Sequence, residues 1–119
     1  MTNDRVVYLV QYGIDYAEAM ERFGGNEGLF VRLATKYLDD PHFNALEVAI
    51  STDDAAAAER EAHSLKGVAG NLSFTCLYDL STRITDALRA EDLEEARTLM
   101  PELRESHEKV VKALCGLQG

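Results

Sequence analysis

Apolar residues recur every three or four positions along most of this chain, which is the spacing of helices that bury one side. The clearest case is the segment from Phe74 to Arg89. Its apolar stripe consists of Leu77, Leu80, Ile84, Ala87 and Leu88. Alternating runs of β-branched residues are few, and no Asn-Gly pair marks a tight hairpin turn. The sequence therefore predicts an all-α fold.

Helix-start signals divide the chain into separate helices. Asp15 and Asp92 are each followed three residues later by a glutamate, which is the spacing of a capping box. Asn26 can cap the helix that follows the first of these. Thr52 or Asp53 can cap a long helix that opens with four alanines, the residue with the highest helix propensity.

These helices predict an antiparallel four-helix bundle with a short extra N-terminal helix at about Asp4–Tyr12. A length of 119 residues with a hydrophobic fraction of 46% suits a single domain over residues 1–119. Pro41 predicts a break or bend in one helix, and Pro101 predicts a kink or a join in the last.

Charge and hydropathy exclude several classes of function. The net charge is −9, and no cluster of Lys and Arg could neutralise nucleic-acid phosphates or bind an anionic membrane. No apolar run approaches the roughly 18 residues that span a bilayer, and the start of the chain makes a poor signal peptide. Cys76 and Cys115 are expected in the core as small apolar residues. We therefore expect a cytoplasmic protein whose partners include neither nucleic acid nor membrane.

One helical segment carries candidate chemistry. At about 100° per residue, its buried side is formed by Leu65, Ala69 and Leu72. His63 then points away from the core, with Lys66 beside it and with Gly67 and Gly70 on its own face. Each interior glycine costs a helix about 0.5–1 kcal/mol relative to alanine. Close approach of another molecule to the bare backbone is one reason to tolerate them.

The residues alone leave two interpretations of this segment open. A neutral imidazole has a ring-nitrogen lone pair near pH 7, so His63 can act as a nucleophile toward phosphorus. Lys66 and Arg60 would add positive charge for phosphoryl oxygens. Equally, His63 can be an ordinary surface residue, and the glycines can be a contact between packed helices.

A resemblance supports the first interpretation. AHSLKGVAGNL, residues 62–72, resembles the signature AH[ST]LKGxAxNLG of histidine-containing phosphotransfer (HPt) domains. GIDYAEAMERFGGNEGLFVRL and RAEDLEEARTLMPEL resemble flanking segments of the same family. The resemblance implies an HPt-like four-helix bundle in which His63 is phosphorylated, Lys66 is the phosphate-proximal cation and Gly67 allows close approach. It departs from the family at Ser73, where glycine is common, and at Thr85, where glutamate is common.

The family resemblance also implies a function and partners. The chain would carry a phosphoryl group between receiver aspartates of response regulators in a two-component phosphorelay fed by a hybrid histidine kinase. Its partner-binding residues would be Arg60, Ser64, Gly67, Gly70 and Asn71. It would have no catalytic residues, metal or cofactor of its own, because the receiver brings Mg²⁺ and most of the transition-state stabilisation. We therefore expect a carrier and not an enzyme, and the sequence has no Gly-rich phosphate loop.

Alternatives remain. The chain could be an HPt module excised from a hybrid or chemotaxis-type kinase, or a helical interaction module without transfer. A metal-binding bundle needs Glu-x-x-His pairs. The residues three before His42, His63 and His107 are instead Asp39, Arg60 and Arg104. Polar neighbours predict that His107 is solvated, Ser73 is expected to cap the fourth helix of the bundle, and Thr85 is expected on the surface.

Overall fold

The structure, a computed structural model, describes residues 8–118 and contains six α-helices after a helical segment at residues 8–11. The six are α1 (Tyr16–Arg22), α2 (Glu27–Thr35), α3 (His42–Ser51), α4 (Ala55–Asn71), α5 (Thr75–Arg89) and α6 (Leu93–Gln118), with a 3-10 helix, Lys36–Asp39, between α2 and α3. Within the described residues no strand forms, so the all-α prediction is confirmed. The predicted N-terminal helix is described only from residue 8 onward.

The helices pack in the order of the chain. α3 packs on α4, α4 on α5 and α5 on α6, while α2 and α3 both reach α6. The core between them includes Phe30, Leu46, Leu65, Leu77, Ile84, Leu103 and Leu114. Pro41 stands between the 3-10 helix and α3, so the predicted break occurs there. Pro101 lies inside α6, which continues through it as one helix.

Three consecutive connections, from α3 to α6, have the same geometry. In each, the second residue after the helix is left-handed, with φ of 58° at Asp53, 60° at Ser73 and 59° at Glu91. The following amide donates to a carbonyl five residues earlier, as in a Schellman motif. These bonds join Asp54 N to Ala49 O, Phe74 N to Ala69 O and Asp92 N to Ala87 O, each at 2.9 Å. Turns this short make neighbouring helices antiparallel.

The predicted caps at Asp15, Asn26 and Asp92 are present. Each accepts a hydrogen bond from the amide three residues later at 3.0 Å. The prediction for α4 was wrong by one position, because Asp53 occupies the left-handed turn and Asp54 caps the helix instead. Ser73 does not cap α5 either, since it is the left-handed residue of its own turn and Phe74 precedes the helix.

Three other side chains lie where the sequence did not place them. Cys76 and Cys115 are exposed free thiols, so the prediction of core cysteines was wrong. Thr85 is fully buried instead of exposed. Its hydroxyl donates to the carbonyl of Ser81 at 2.7 Å, which satisfies the polar group inside the helix while the methyl group packs in the core.

His107 is half-buried, contrary to the expectation of a solvated side chain. It lies four residues after Leu103 and three before Val110, both fully buried, so it shares the core-facing stripe of α6. Its ring stacks on Phe43 with centroids 4.0 Å apart, and its Nδ1 lies 2.7 Å from the hydroxyl of Tyr37.

Burial makes the His107 imidazole harder to protonate. Burial is the largest cause lowering its pKa below the ordinary 6.5, and Arg104 acts in the same direction. Glu108 and Asp40 oppose the shift without reversing it. Burial also raises the pKa of the Tyr37 hydroxyl, which stays protonated and shares a hydrogen bond with Nδ1 of the neutral imidazole.

We predict that His107 makes the folded state less stable in acid. As the pH falls, the unfolded chain binds a proton on this side chain at a higher pH than the folded chain does. The contribution of His107 to the free energy of unfolding is therefore complete above about pH 6.5 and is lost as the pH falls through the lower folded-state pKa. Urea denaturation of the wild type and His107→Phe at several pH values measures the effect. On acidification the free energy of unfolding of the wild type falls relative to that of His107→Phe, so the gap between the two changes, because the other titrating groups are common to both. A gap that does not change with pH would contradict the prediction.

Candidate functional site

His63 stands on the solvent side of α4. The helix buries Ala58, Ala62, Leu65 and Ala69 against its neighbours. These positions, spaced by three or four residues, fix the rotation of α4 about its axis. His63 falls on the opposite side and is exposed.

A groove of about 690 Å³ opens beside the imidazole. From α4 it is lined by His63, Lys66, Gly67, Ala69, Gly70 and Asn71, and from the turn and α5 by Ser73, Thr75, Tyr78 and Asp79. Two further lining residues, Glu18 and Arg22, come from α1. Of the residues predicted for partner binding, the structure thus brings Gly67, Gly70 and Asn71 together with His63 and Lys66. Ser64 and Arg60 lie on α4 outside the groove lining, with Arg60 exposed one turn before His63.

The two glycines of this face have different surroundings. A methyl group built on Gly67 meets no other atom within 4 Å, so no packing contact accounts for this glycine. A methyl group on Gly70 would lie 3.1 Å from two ring carbons of Tyr78, so this glycine makes room for an aromatic ring. Gly67 therefore fits the interpretation in which bare backbone allows another molecule to approach. Gly70 fits the interpretation in which a glycine makes a contact between packed helices.

Arg89 reaches the imidazole from α5. Its Nη2 lies 3.3 Å from His63 Nδ1, and its Nε lies 3.4 Å from Glu59 Oε2. A guanidinium has no acceptor atom, so Nδ1 accepts this hydrogen bond and the proton of the neutral ring is on Nε2. This arrangement supplies positive charge in direct contact with the candidate nucleophile.

Sequence reasoning missed Arg89 because its position depends on helix pairing. The antiparallel register that sets Gly70 against Tyr78 also sets Glu59 against Arg89, one turn before His63 on α4. Arg89 is 26 residues from His63 along the chain. The available signal was to count outward equally along both helices from Phe74, which pairs Gly70 with Tyr78 and Glu59 with Arg89.

Lys66 and Arg22 add two more cations to the groove. Lys66 is half-buried, and among the described residues no carboxylate forms an ion pair with it. Arg22 contacts Glu18 at 3.6 Å, and both side chains remain nearly half exposed. Three cations, Lys66, Arg22 and Arg89, therefore lie around His63 and its groove, among the carboxylates Glu18, Glu59 and Asp79.

Helix α1 is fixed to the turn that ends α4. The hydroxyl of Ser73, which is 1% exposed, donates to Glu18 Oε1 at 2.8 Å. The amide of Asp15 donates to the carbonyl of Ser73 at 2.9 Å, and Ile14 forms an isolated bridge with Phe74. These contacts bring Glu18 and Arg22 to the groove.

Comparison with protein families identifies the segment that contains this site. The Hpt domain model matches residues 39–113, which is more than half of the chain and includes all of α4 and α5. The chain belongs to the Hpt domain family. Searches of curated proteins and of solved structures gave no match.

Family membership establishes the general function. Hpt domains are phosphotransfer modules of two-component signalling and carry phosphoryl groups without being catalysts. They interact with receiver domains and histidine kinases. Among the described residues no helix has the length and hydrophobicity to cross a membrane, and no three side chains of His, Cys, Asp or Glu are grouped as metal ligands.

We predict that alanine substitutions at the two glycines have different effects on stability. Gly67→Ala raises the free energy of unfolding by about 0.5–1 kcal/mol, because alanine is the better helix former and the methyl group meets no neighbour. Gly70→Ala gains less, because the Tyr78 ring has to shift. Urea denaturation followed by circular dichroism measures both. Equal gains would show that the Tyr78 contact imposes no constraint.

Proposed function

We propose that this chain is a histidine phosphotransfer protein in which His63 takes a phosphoryl group from one receiver aspartate and passes it to another. The observation that supports this best is the exposed imidazole beside the open backbone of Gly67, within the segment that matches the Hpt family. The same chemistry serves a free carrier and a module of a larger kinase.

The transfer needs only a ring-nitrogen lone pair and access. That lone pair forms the new P–N bond, and the bond from phosphorus to the aspartyl oxygen breaks with its electron pair left on the carboxylate. The ring proton stays on the other nitrogen. The second transfer reverses these changes toward the next aspartate. Gly67 allows the receiver backbone close to the imidazole, since no side chain covers that position.

Arg89 would change partners during transfer. In the structure it donates to Nδ1, which in this tautomer has the lone pair of the ring. Attack by either nitrogen requires Arg89 to leave Nδ1, because a protonated Nδ1 cannot accept from it. The contact with Glu59 keeps the guanidinium close to the site. Arg89 and Lys66 can then both face the phosphoryl oxygens.

The receiver would supply the rest of the chemistry. We propose that Mg²⁺ and most of the transition-state stabilisation belong to the receiver, and that the chain itself uses no cofactor. Arg60, Ser64, Gly70 and Asn71 would contact the receiver around His63. Such a relay would operate in the cytoplasm.

A phosphorylation assay tests the proposal. We expect a radiolabelled phosphorylated receiver to transfer acid-labile, alkali-stable phosphate to the wild type and to His42→Gln, but not to His63→Gln. Transfer that persists in His63→Gln would show that His63 is not the phosphoryl acceptor. If no receiver of the organism transfers phosphate to the wild type, the carrier function is rejected, and the alternative of a helical interaction module without transfer is supported.

We predict that Gly67→Ala slows transfer although it stabilises the fold. A methyl group at the contact displaces the reacting atoms, and a displacement of about 1 Å can cost about 100-fold in rate, so a loss of at least about tenfold is expected. Gly28→Ala is the matched control, because it makes the same change in α2, outside the groove, where the nearest atom is 3.7 Å away. Rapid-quench transfer assays compare the two. Equal rates for both variants would refute close approach at Gly67.

A further inference from the structure

Part of the groove lies too far from the imidazole to act on the phosphoryl group. α4 continues for eight residues beyond His63, which is roughly 12 Å at 1.5 Å per residue, and Ser73 lies in the turn beyond its end. Glu18 is hydrogen-bonded at this end of the groove. A protein partner covers about 800 Å² of surface, which corresponds to a disc of about 16 Å radius. A receiver docked on His63 therefore covers this end as well.

The same end of the groove contains residues outside the segment that matches the family. The family match begins at residue 39, whereas Glu18 and Arg22 belong to α1, which precedes it. The matched segment includes His63, Lys66 and Gly67, to which the shared chemistry is attributed. Helix α1 is therefore a wall of the groove that lies outside the matched segment.

This wall is preformed. The buried hydroxyl of Ser73 and its carbonyl both bind α1, through Glu18 and through the amide of Asp15. A surface fixed in this way loses little conformational entropy when a partner binds. Arg22 is thus presented to the groove by a helix already in place.

The groove also offers features for recognition besides the phosphoryl contacts. Arg22 from α1 and Asp79 from α5 provide one cation and one anion on different helices. Tyr78, placed beside Gly70, is 38% exposed and provides an aromatic surface between polar groups. Exposed aromatic side chains within a polar rim are typical anchors of protein interfaces.

We propose that Arg22 and Asp79 select the receiver, by pairing with an acidic and a basic side chain on its docking face. This inference rests on the proposed function, since it takes the phosphorylated receiver as the occupant of the groove. Charge complementarity supports that occupant, because Lys66 and Arg89 lie beside an imidazole that has to meet an anionic phosphoryl group. His63 and Lys66 handle the phosphoryl group, whereas Arg22 and Asp79 determine which receiver docks.

The test measures binding apart from transfer. Dissociation constants of the organism's receiver domains are measured by fluorescence anisotropy, with every variant built on full-length His63→Gln. We expect Arg22→Glu and Asp79→Lys each to weaken binding of the preferred receiver by about three- to tenfold at low salt. The matched controls are Arg32→Glu and Glu102→Lys, exposed residues on α2 and α6 with the same charge changes outside the groove. Melting temperatures verify that each variant is folded.

The outcomes separate this inference from the function on which it rests. Equal weakening by Arg22→Glu and Arg32→Glu would show that only overall charge matters and would overturn the inference. An unchanged order of preference among receivers in the Arg22→Glu, Asp79→Lys double variant would also overturn the inference. Binding by no receiver would overturn it as well. A selective loss of binding in the Arg22→Glu and Asp79→Lys variants, together with no transfer of phosphate to His63 of the wild type, would support the docking surface and reject the carrier function.

Discussion

The burial of one narrow stripe of α4 fixes the site. Ala58, Ala62 and Ala69 are all fully buried, and with Leu65 they turn one side of the helix toward α3 and α5. Small side chains let these helices approach closely, and rotating α4 by even one residue would expose the stripe and bury a polar side chain in its place. The exposure of His63 is therefore a consequence of core packing. The bare backbone at Gly67 follows from the same rotation, since it lies one turn further along the outward face.

The turn at Ser73 links this packing to the groove. A residue other than glycine in the left-handed conformation costs about 1–2 kcal/mol, and Ser73 adopts it with φ of 60°. Glycine would avoid this cost but has no hydroxyl. Here the hydroxyl donates to Glu18 from a buried position, which fixes α1 on the end of the bundle. The departure from the family pattern at Ser73 thus has a structural effect, because its hydroxyl adds a side-chain hydrogen bond to the backbone contacts that hold α1 as a wall of the groove.

Features set by local sequence could be predicted, whereas features set by pairing between helices could not. The caps at Asp15, Asn26 and Asp92 depend on hydrogen bonds within three residues, and they form as predicted. Arg89 meets His63 only through the register of α4 against α5, so nothing near either residue indicates the contact. His107 was misjudged because its immediate neighbours are polar, although its spacing from Leu103 and Val110 places it on the buried stripe. Hpt membership was predictable because its signature is one continuous segment of α4.

The position of the cations reconciles the acidic chain with an anionic cargo. A net charge of −9 repels a phosphoryl group at long range, but at physiological salt that repulsion is screened beyond about 8 Å. Charges in contact with the imidazole act inside that distance. Arg89, 3.3 Å from Nδ1, contributes more there than the distant carboxylates do, while its contact with Glu59 at 3.4 Å offsets part of its charge. In the proposed transfer to His63, only the cations beside the imidazole need to match the phosphoryl group, while the rest of the surface remains acidic.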